Sequence, residues 1–522
     1  MLVVLVAAGC TAAGSSSGHP SSPGLSPCVL SAEQVRRIRH GYFPGRSGDV
    51  QIVPAPPNYV GATRTHSGPW DYVQEVPLVF YGPGHVPSVG KVEQRATAAD
   101  IAPTLAAHLG FDFQAPDGHP LDRALPAPGT PPPRLIVVVV WDGGGRNVLA
   151  RYPDAWPTLK GMIDGGVWYE RATVATSPSV TATVHATIGT GAFPATHGRV
   201  GNEAFTPPTT PGGHPGGLLV PSLADAWDRA NGNAPVVGLT GLRTWHLGMM
   251  GDGAWAPGGD RDPVVLLDED TARWDLPAKL REPYRYPAYA SSIPGLDHEL
   301  RILDERDGEL DHAWLGEPVF DDPNSVIATP AYTRWQTRLL REFIPREGFG
   351  ADDLTDLLFV NVKQIDLVGH RWSMDSPEAR AVVAASDQAL GDLVAMLDRF
   401  VGPGRWLLAL TADHGSTPPA RVSGGWVIDM GSLLSDIRRR FDTDGDDRSV
   451  VDSGSASQIW LDPAELDDER VTPAEVASFI AGYTIGQGAR DPSAVPEDRR
   501  DDLLFRAAFP STELRTASCP GG

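Results

Sequence analysis

The feature that most constrains the fold is a set of continuous apolar runs, each of which ends abruptly at polar residues. The strongest is LIVVVVW, residues Leu135–Trp141, which is followed at once by Asp142 and three glycines. Comparable runs are Leu357–Val362 and Trp406–Thr411, and a fourth is Val76–Tyr81. Uninterrupted apolar runs are typical of strands that are buried on both faces of a parallel sheet. They predict an α/β fold with a central, mostly parallel sheet.

Helical patterns lie between these runs. Ser376 and Pro377 suit the N-cap and first positions of a helix, and apolar residues then recur at three- and four-residue spacing at Val382, Val383, Leu390, Leu393, Val394 and Leu397. Strands that alternate with helices form layered α/β folds, in which ligands bind outside the carboxyl ends of the strands. We therefore expect the functional residues at that edge of the sheet.

Acidic and imidazole side chains follow three of the apolar runs. Asp142 comes after the first run, Asp366 and His370 after the second, and Asp413 with His414 after the third. A lone Asp after a strand usually caps a helix, and Asp413 with His414 alone could form a turn. Five such groups at corresponding places after three strands are harder to explain in this way. Carboxylate and imidazole ligands suit zinc or manganese, and two such ions can clamp the attacking and leaving oxygens of a phosphoryl transfer. The pattern predicts a metal-dependent site.

The charge of the chain limits its partners. Asp and Glu outnumber Lys and Arg by 65 to 43, which gives a net charge of −22, and no basic run stands out. Most of such a surface repels a polyanion. We therefore do not expect a nucleic-acid polymer as the partner, and the sequence makes no prediction about the oligomeric state.

The first ten residues, MLVVLVAAGC, are apolar and end in small residues and a cysteine, before a Ser/Gly/Pro-rich stretch to residue 27. This segment resembles a bacterial lipoprotein signal with Cys10 as the lipidated residue, although a basic region is missing and Ala7 stands where Leu is usual. A plain cleaved signal peptide is the alternative. Either predicts an exported protein, anchored by lipid to the outer face of the cytoplasmic membrane or secreted. Membrane contact is expected only through the lipid, because no other stretch offers about 20 consecutive apolar residues.

Candidate nucleophiles lie in the stretch SPSVTATVHATIGTGAFPATHGRVGN, which is rich in hydroxyl side chains and small residues. This stretch resembles the phosphodiesterase, nucleotide pyrophosphatase and threonine-type alkaline phosphatase branch of the alkaline phosphatase superfamily. There the nucleophilic threonine stands four residues before a histidine, and a Thr-Gly pair and a Pro-x-x-His-Gly turn follow. Here these are His185, Thr190–Gly191 and Pro194–Gly198. The resemblance implies Thr181 as the nucleophile, with Thr183 as a competitor whose spacing is wrong.

The same resemblance implies the remaining site residues. Asn202, 21 residues beyond Thr181, falls at the place of the phosphate-binding asparagine. The implied cofactors are two divalent ions, zinc in the first instance and manganese as the alternative. One ion would be held by Asp142, Thr181, Asp413 and His414, and the other by Asp366 and His370 of the DLVGH motif.

The family requires one more histidine on the second metal, downstream of its Asp-His-Gly motif, and here no histidine follows His414. Residues 41–107 instead contain THSGPWDYVQEVPLVFYGPG and ATAADIAPTLAA, which resemble the C-terminal segment of the family. His66 is then the missing ligand, although Ser67–Gly68 stands where Gly-Ser is usual. We interpret the chain as a circular permutant whose terminal segment has moved to the front. The alternative is that residues 41–107 form an unrelated strand-helix unit.

The resemblance therefore implies an alkaline phosphatase-like three-layer α/β sandwich that is circularly permuted and carries an inserted cap. The expected parts are a signal and linker over 1–27, the permuted segment over 28–123, a Pro-rich connector over 124–134, a first core part over 135–246, the cap over 247–345 and a second core part over 346–522. The cap is placed where Gly, Pro, Asp and Trp are frequent and periodicity is weak.

If Cys10 carries lipid, Cys28 and Cys519 remain as a pair near opposite ends of the chain. An oxidising compartment permits a disulfide between them, and the permutation implies that both ends lie side by side. The alternative is two unpaired cysteines in frayed tails.

The implied reaction is attack by Thr181 on a small phosphoester, through a phosphothreonine intermediate, with Asn202 donating to a non-bridging oxygen. Monoesterases of this branch place a Lys and an Arg against the extra phosphate charge, whereas this chain has Leu242 and Thr244 there, with Arg243 between them. We therefore predict a diester or pyrophosphate substrate. An alkaline phosphomonoesterase is the alternative if Arg243 turns inward, and an inactive surface-anchored binding protein on the same fold is another. No Cys-x-Pro-x-Arg or Ser-x-Pro-x-Arg motif points to a sulfatase.

Overall fold

The computed structural model describes residues 24–517 apart from 62–65, 203–216, 269–270, 307, 321 and 447, together with residue 519. Within these residues the strands are β1 (Val50–Pro54), β2 (Tyr59–Val60), β3 (Leu78–Tyr81), β4 (Gly90–Thr97), β5 (Leu135–Trp141), β6 (Val167–Thr173), β7 (Val237–Thr240), β8 (Asp262–Asp268), β9 (Arg273–Asp275), β10 (Tyr284–Arg285), β11 (Ala313–Trp314), β12 (Glu317–Pro318), β13 (Asp356–Val362), β14 (Trp406–Thr411), β15 (Val427–Ile428), β16 (Val451–Gly454), β17 (Gln458–Leu461) and β18 (Phe505–Pro510).

The α-helices of the same residues vary from single turns to a helix of 24 residues. They are α1 (Ala32–Gly41), α2 (Asp71–Gln74), α3 (Ile101–Leu109), α4 (Arg146–Arg151), α5 (Pro157–Gly165), α6 (Thr181–Thr190), α7 (Pro194–His197), α8 (Leu223–Ala230), α9 (Leu296–Asp304), α10 (Pro323–Val326), α11 (Pro330–Glu347), α12 (Gln364–Arg371), α13 (Pro377–Phe400), α14 (Ala420–Ser423), α15 (Met430–Phe441), α16 (Pro463–Glu469), α17 (Pro473–Ala481), α18 (Ile485–Gly488) and α19 (Glu513–Thr516).

The main sheet of the described residues has ten strands, in the order β10-β8-β7-β13-β5-β14-β3-β6-β4, with β9 paired to β8. At its centre β5 pairs in parallel with β13 on one side and β14 on the other. Every residue of β5 is buried. The predicted buried strands and the mostly parallel sheet are therefore confirmed. β5 and β14 have the predicted bounds, β13 begins one residue earlier than predicted, and β3 begins two residues later than predicted.

Helices cover both faces of this sheet. Alternate side chains of β5 enter different cores: Leu135, Val137, Val139 and Trp141 pack on one side and Ile136, Val138 and Val140 on the other. The first core receives apolar residues of α5, α11 and α13, and the second those of α3, α6 and α8. This is the predicted three-layer α/β arrangement. The predicted start of α13 is also confirmed, because the Ser376 side chain accepts a hydrogen bond from the Ala379 N–H.

The N-terminal segment contributes strands to the two largest sheets of the described residues. β3 pairs antiparallel with β14 and with β6, and so completes the main sheet beside its central strands. A second, four-stranded sheet of the described residues has the order β16-β17-β1-β18, so β1 lies between two strands from the C-terminal part of the chain. The predicted disulfide is present: Cys28 and Cys519 are bonded, with Cα atoms 5.1 Å apart. Residues 28 and 519, from the N-terminal and C-terminal parts of the chain, therefore lie side by side.

Part of the segment predicted as a cap beside the site, residues 247–345, extends the main sheet. β8 pairs in parallel with β7, and β10 in turn pairs with β8. In addition, α11 contributes Tyr332, Trp335 and Leu339 to the core that also contains α13. The sequence of β8, DPVVLLD, is a short apolar run among Gly, Pro and Asp residues whose weak periodicity did not predict a strand.

None of the described helices is both long and apolar enough to cross a bilayer. The predicted lipidation site, Cys10, and the signal segment lie outside the described residues.

Candidate metal centre

Acidic and imidazole side chains meet at the carboxyl ends of three adjacent parallel strands. Asp142 follows β5, Asp366 lies in the first turn of α12 after β13, and Asp413 with His414 follows β14. Because β13, β5 and β14 are neighbours in the sheet, these side chains converge at one edge. Each of them is at most 7% exposed.

Asp142, Asp413 and His414 offer ligand atoms that all lie within 4.8 Å of one another. His414 Nε2 lies 3.4 Å from Asp413 Oδ2 and 3.6 Å from Asp142 Oδ1. A tetrahedral ion with bonds of about 2.0 Å separates its ligands by about 3.3 Å, so these spacings suit zinc. Asp413 Oδ2 and His414 Nε2 are also buried without a hydrogen-bond partner. The donor set therefore fits a divalent metal.

A second group is formed by His66, Asp366 and His414, again with ligand atoms within 4.8 Å of one another. Asp366 Oδ1 lies 3.7 Å from His66 Nε2 and 3.2 Å from His370 Nε2. The structure thus brings His66, from the N-terminal segment, against the residues that the sequence predicts for the second metal. All the predicted protein ligands converge in one place.

Backbone carbonyls orient two of the imidazoles. His66 Nδ1 lies 3.0 Å from the Ser179 carbonyl oxygen, and His414 Nδ1 lies 2.9 Å from that of Gly415. When Nδ1–H donates to a carbonyl, Nε2 keeps a lone pair for a metal. Burial lowers the pKa of His66 well below its ordinary value and also lowers the pKa of His414. Both imidazoles are therefore neutral at pH 7, which is the form that binds metal.

Thr181 is the first residue of α6 and is 1% exposed. Its Oγ1 lies 3.0 Å from Lys363 Nζ, inside the group of predicted ligands. The hydroxyl of Thr183 instead donates to the Val180 carbonyl at 2.8 Å. The geometry therefore favours Thr181 over Thr183 as the hydroxyl available for chemistry.

A cavity of about 260 Å³ opens onto this group, and Asn202 and Arg243 both line it. The Asn202 Oδ1 accepts a hydrogen bond from the Ala182 N–H at 2.9 Å, so the amide NH₂ is the end left for a ligand. The Arg243 guanidinium lies over the Trp245 ring, 4.8 Å from its centroid. Leu242, by contrast, is buried in the core at 1% exposure.

Three polar residues at the centre were missed by the sequence analysis. Lys363 Nζ lies 2.6 Å from Asp142 Oδ1 and 2.7 Å from Asp366 Oδ2. Asn361 donates to Asp142 Oδ2 at 3.0 Å, and His246 Nε2 lies 3.6 Å from the same oxygen. A signal was present for two of them, because Asn361 and Lys363 interrupt the apolar stretch at the end of β13, and buried polar groups require partners.

The charges of these groups depend on one another. Burial raises the pKa of Asp142, but Lys363, His246 and His414 together outweigh this effect and the pKa lies below its ordinary value. Burial likewise opposes ionisation of Asp366, yet His370 and Lys363 hold its pKa well below the ordinary value. Burial and the charge of Asp142 raise the pKa of Asp413 well above its ordinary value. Burial lowers the pKa of Lys363, but the surrounding carboxylates raise it by more, so Lys363 is an ammonium ion.

Comparisons with known proteins show the family of the chain. The family model for type I phosphodiesterase / nucleotide pyrophosphatase matches residues 136–216 and 234–482, more than half of the chain. The chain is 25% identical over 440 residues to a protein from Myroides odoratus named calcium-transporting ATPase, covering 71% of this chain and 78% of that protein. It is 22% identical over 405 residues to alkaline phosphatase PafA from Elizabethkingia meningoseptica, covering 67% of this chain and 73% of PafA.

Among solved structures, that of wild-type alkaline phosphatase PafA aligns with a TM-score of 0.50 and 17% sequence identity, over 72% of this chain and 84% of that chain. At this identity the likeness shows the shared fold alone. The family match begins at residue 136, so the segment that contributes His66 lies outside it.

Proposed function

Because the chain belongs to the type I phosphodiesterase / nucleotide pyrophosphatase family, in the alkaline phosphatase superfamily of phosphoester hydrolases, we propose that it cleaves its substrate through attack by Thr181. The observation that carries this proposal is that Thr181, buried at the start of α6, lines the same cavity as His66, Asp366 and His370. Two divalent ions, proposed to be zinc, would be held by Asp142, Thr181, Asp413 and His414 and by Asp366, His370 and His66. Bound ions would supply Lewis-acid charge at the attacking and leaving oxygens.

The protein's own groups supply the other parts of the reaction. Thr181 Oγ1 forms a bond to phosphorus as the bond to the leaving oxygen breaks, and its proton passes to solvent. In this first step the leaving oxygen takes a proton from solvent. Water then cleaves the phosphothreonine in a second step and restores the Thr181 hydroxyl. The NH₂ of Asn202 faces the cavity and donates to a non-bridging phosphoryl oxygen as charge develops there.

We propose a phosphodiester or pyrophosphate as the substrate. Leu242, which is buried in the core, and Thr244 both have uncharged side chains, so neither supplies a cation to the cavity. A diester group carries one negative charge where a monoester carries two. Phosphomonoester hydrolysis is the second candidate, and Arg243 and Lys363 favour it because both line the cavity.

A substrate panel separates these candidates. The purified protein, with zinc added, is assayed on bis-p-nitrophenyl phosphate, on p-nitrophenyl phosphate and on a nucleotide diester. We expect the diesters to have the higher kcat/KM, whereas a higher value for p-nitrophenyl phosphate would identify a monoesterase. A protein that carries no metal as purified and stays inactive after zinc or manganese addition would instead support an inactive binding protein.

We also propose that the chain is a circular permutant. This is supported by β1, which lies between β17 and β18, and by His66, which reaches the site from the N-terminal segment. The family match that begins only at residue 136 is in line with this interpretation. The disulfide between Cys28 and Cys519 supports an exported location, because such bonds persist in oxidising compartments. A lipid anchor at Cys10 stays a prediction.

A further inference from the structure

On the basis of the role proposed for Thr181, we propose that Lys363 is a further catalytic residue, whose ammonium holds the Thr181 oxygen and stabilises negative charge on it and on the phosphoryl group. Lys363 keeps its proton throughout. The bond that forms joins Thr181 Oγ1 to phosphorus, and Lys363 contributes only hydrogen bonding and charge.

The contacts of Lys363 carry this proposal. Its Nζ lies 3.0 Å from Thr181 Oγ1, 2.6 Å from Asp142 Oδ1 and 2.7 Å from Asp366 Oδ2. An ammonium group has three N–H donors, of which two are hydrogen bonded, to Asp142 Oδ1 and Thr181 Oγ1, while Asp366 forms an ion pair with Lys363. Lys363 is 3% exposed, so its charge acts with little screening by water. The nucleophile proposed for the reaction is therefore hydrogen bonded to a buried cation.

The Lys363 ammonium contacts two of the oxygens proposed for the first metal, Asp142 Oδ1 and Thr181 Oγ1, but not the other two ligands of that metal. On Asp366 it contacts Oδ2, whereas Oδ1 faces His66 and His370. The atoms best placed to bind a metal beside Asp142, Asp413 Oδ2 and His414 Nε2, have no hydrogen-bond partner. A lysine that merely replaced a metal would contact those two atoms. Lys363 therefore adds a positive charge beside Asp413 Oδ2, His414 Nε2 and Asp366 Oδ1, which it does not contact.

Lys363 also faces the substrate. Among the described residues that line the active-site cavity, Lys363 and Arg243 are the Lys and Arg side chains, and Arg243 packs on Trp245. Lys363 directly follows β13 and caps α12, so its backbone is held by the central sheet. A phosphoryl group in line with Thr181 Oγ1 comes within reach of Nζ, and such preorganised charge is effective because it needs no rearrangement during the reaction.

The test compares Lys363→Met, which removes the charge and the donors, with Lys363→Arg, which keeps a cation. Lys279→Met is the matched control, because Lys279 is exposed. Three quantities are measured on zinc-loaded protein: metal ions per chain by mass spectrometry, kcat and KM on a diester, and the Kd of orthovanadate by calorimetry. For Lys363→Met we expect unchanged metal content, a kcat at least about 100-fold lower and orthovanadate binding at least about tenfold weaker. The kcat of Lys363→Arg should be at least about tenfold higher than that of Lys363→Met.

Three results would overturn the proposal. One is a Lys363→Met protein whose activity falls only in proportion to lost metal, since that indicates a structural role. Another is an unchanged kcat in Lys363→Met. A third is a gain of one metal ion per chain in Lys363→Met over wild type, because Lys363 would then occupy a metal position. An active Thr181→Ala protein would instead refute the proposed nucleophile, whereas an inactive Thr181→Ala beside a fully active Lys363→Met refutes only the role of Lys363.

Discussion

His66 and His414 stack face to face, with ring centroids 3.3 Å apart and ring planes 5° from parallel. Their Nε2 atoms lie 3.7 Å and 3.9 Å from the same oxygen, Asp366 Oδ1. One ring comes from the segment before the connector and the other from the loop after β14. The pair therefore marks the point where the N-terminal segment closes the candidate metal centre.

The first prediction concerns His66. Because its Nε2 points at Asp366, His66→Ala should remove one protein ligand, lower bound zinc toward one ion per chain and reduce kcat/KM at least about tenfold. His119→Ala is the control, because that side chain is 67% exposed and pairs with Asp100 away from the site. Metal analysis and steady-state kinetics provide the measurements. Full activity and full zinc content in His66→Ala would show that His66 is not a metal ligand. That result would also remove the main support for the permutation.

The second prediction concerns the nucleophile. Thr181→Ala should lower kcat by several orders of magnitude while the fold and most of the metal remain, because a covalent nucleophile is lost. Thr183→Ala should keep most of the activity, since that hydroxyl donates to backbone carbonyls at 2.8 Å and 3.2 Å. If Thr181→Ala kept more than about a tenth of the wild-type rate and Thr183→Ala did not, the nucleophile would be Thr183.

The third prediction concerns the disulfide. Cys28→Ser should lower the free energy of unfolding by about 2 to 4 kcal/mol, because the bond closes a loop across nearly the whole chain, while kcat stays close to wild type. Denaturant unfolding of both proteins, with and without reductant, gives the measurement. Reductant should destabilise only the wild type. Free thiols at Cys28 and Cys519 in protein recovered from the cell envelope would contradict the bond.

The fourth prediction concerns an acidic cluster away from the metal centre. Asp228, Asp260 and Asp262 offer oxygens within 4.8 Å of one another, and burial, followed by the charges of Asp228 and Asp260, raises the pKa of Asp262 to about 9. The folded protein thus binds a proton that the unfolded chain releases near pH 4. This contribution to stability is complete below pH 4 and is lost as the pH rises through about 9.

Asp262→Asn should therefore change the melting temperature little at pH 4 and raise it by a few degrees at pH 8 to 9, since each pKa unit corresponds to about 1.4 kcal/mol. In the wild type, Asp262 Oδ1 accepts a hydrogen bond from the Val237 N–H at 3.3 Å. The amide oxygen of the Asn side chain can still accept this bond. Asp164→Asn, at an exposed position, is the control. Thermal melts in calcium-free buffer across this pH range supply the data. A pH-independent difference between Asp262→Asn and wild type would show that Asp262 does not titrate in this way.

The sequence by itself determined the central strands and the positions of the predicted ligands. A strand buried on both faces must be apolar throughout, so β5 and β14 were visible as runs with correct bounds. Because parallel strands end at one edge, the acidic and imidazole residues after β5, β13 and β14 were expected to meet there, and they do. The motif around Thr181 identified the proposed nucleophile only by resemblance, since spacing alone left several hydroxyls available.

Only the tertiary structure decided which residues from distant parts of the chain touch. Local patterns report burial but not partners, so nothing in the sequence showed that Lys363 would bond to Asp142, Thr181 and Asp366 together. The same reason explains β8, whose short apolar run is stabilised as a strand by β7 beside it, within a segment predicted as a cap. It also explains Arg243, whose direction depends on the packing of the turn that contains Trp245. Contacts of this kind follow from the packing of elements far apart in the chain, which periodicity and spacing do not encode.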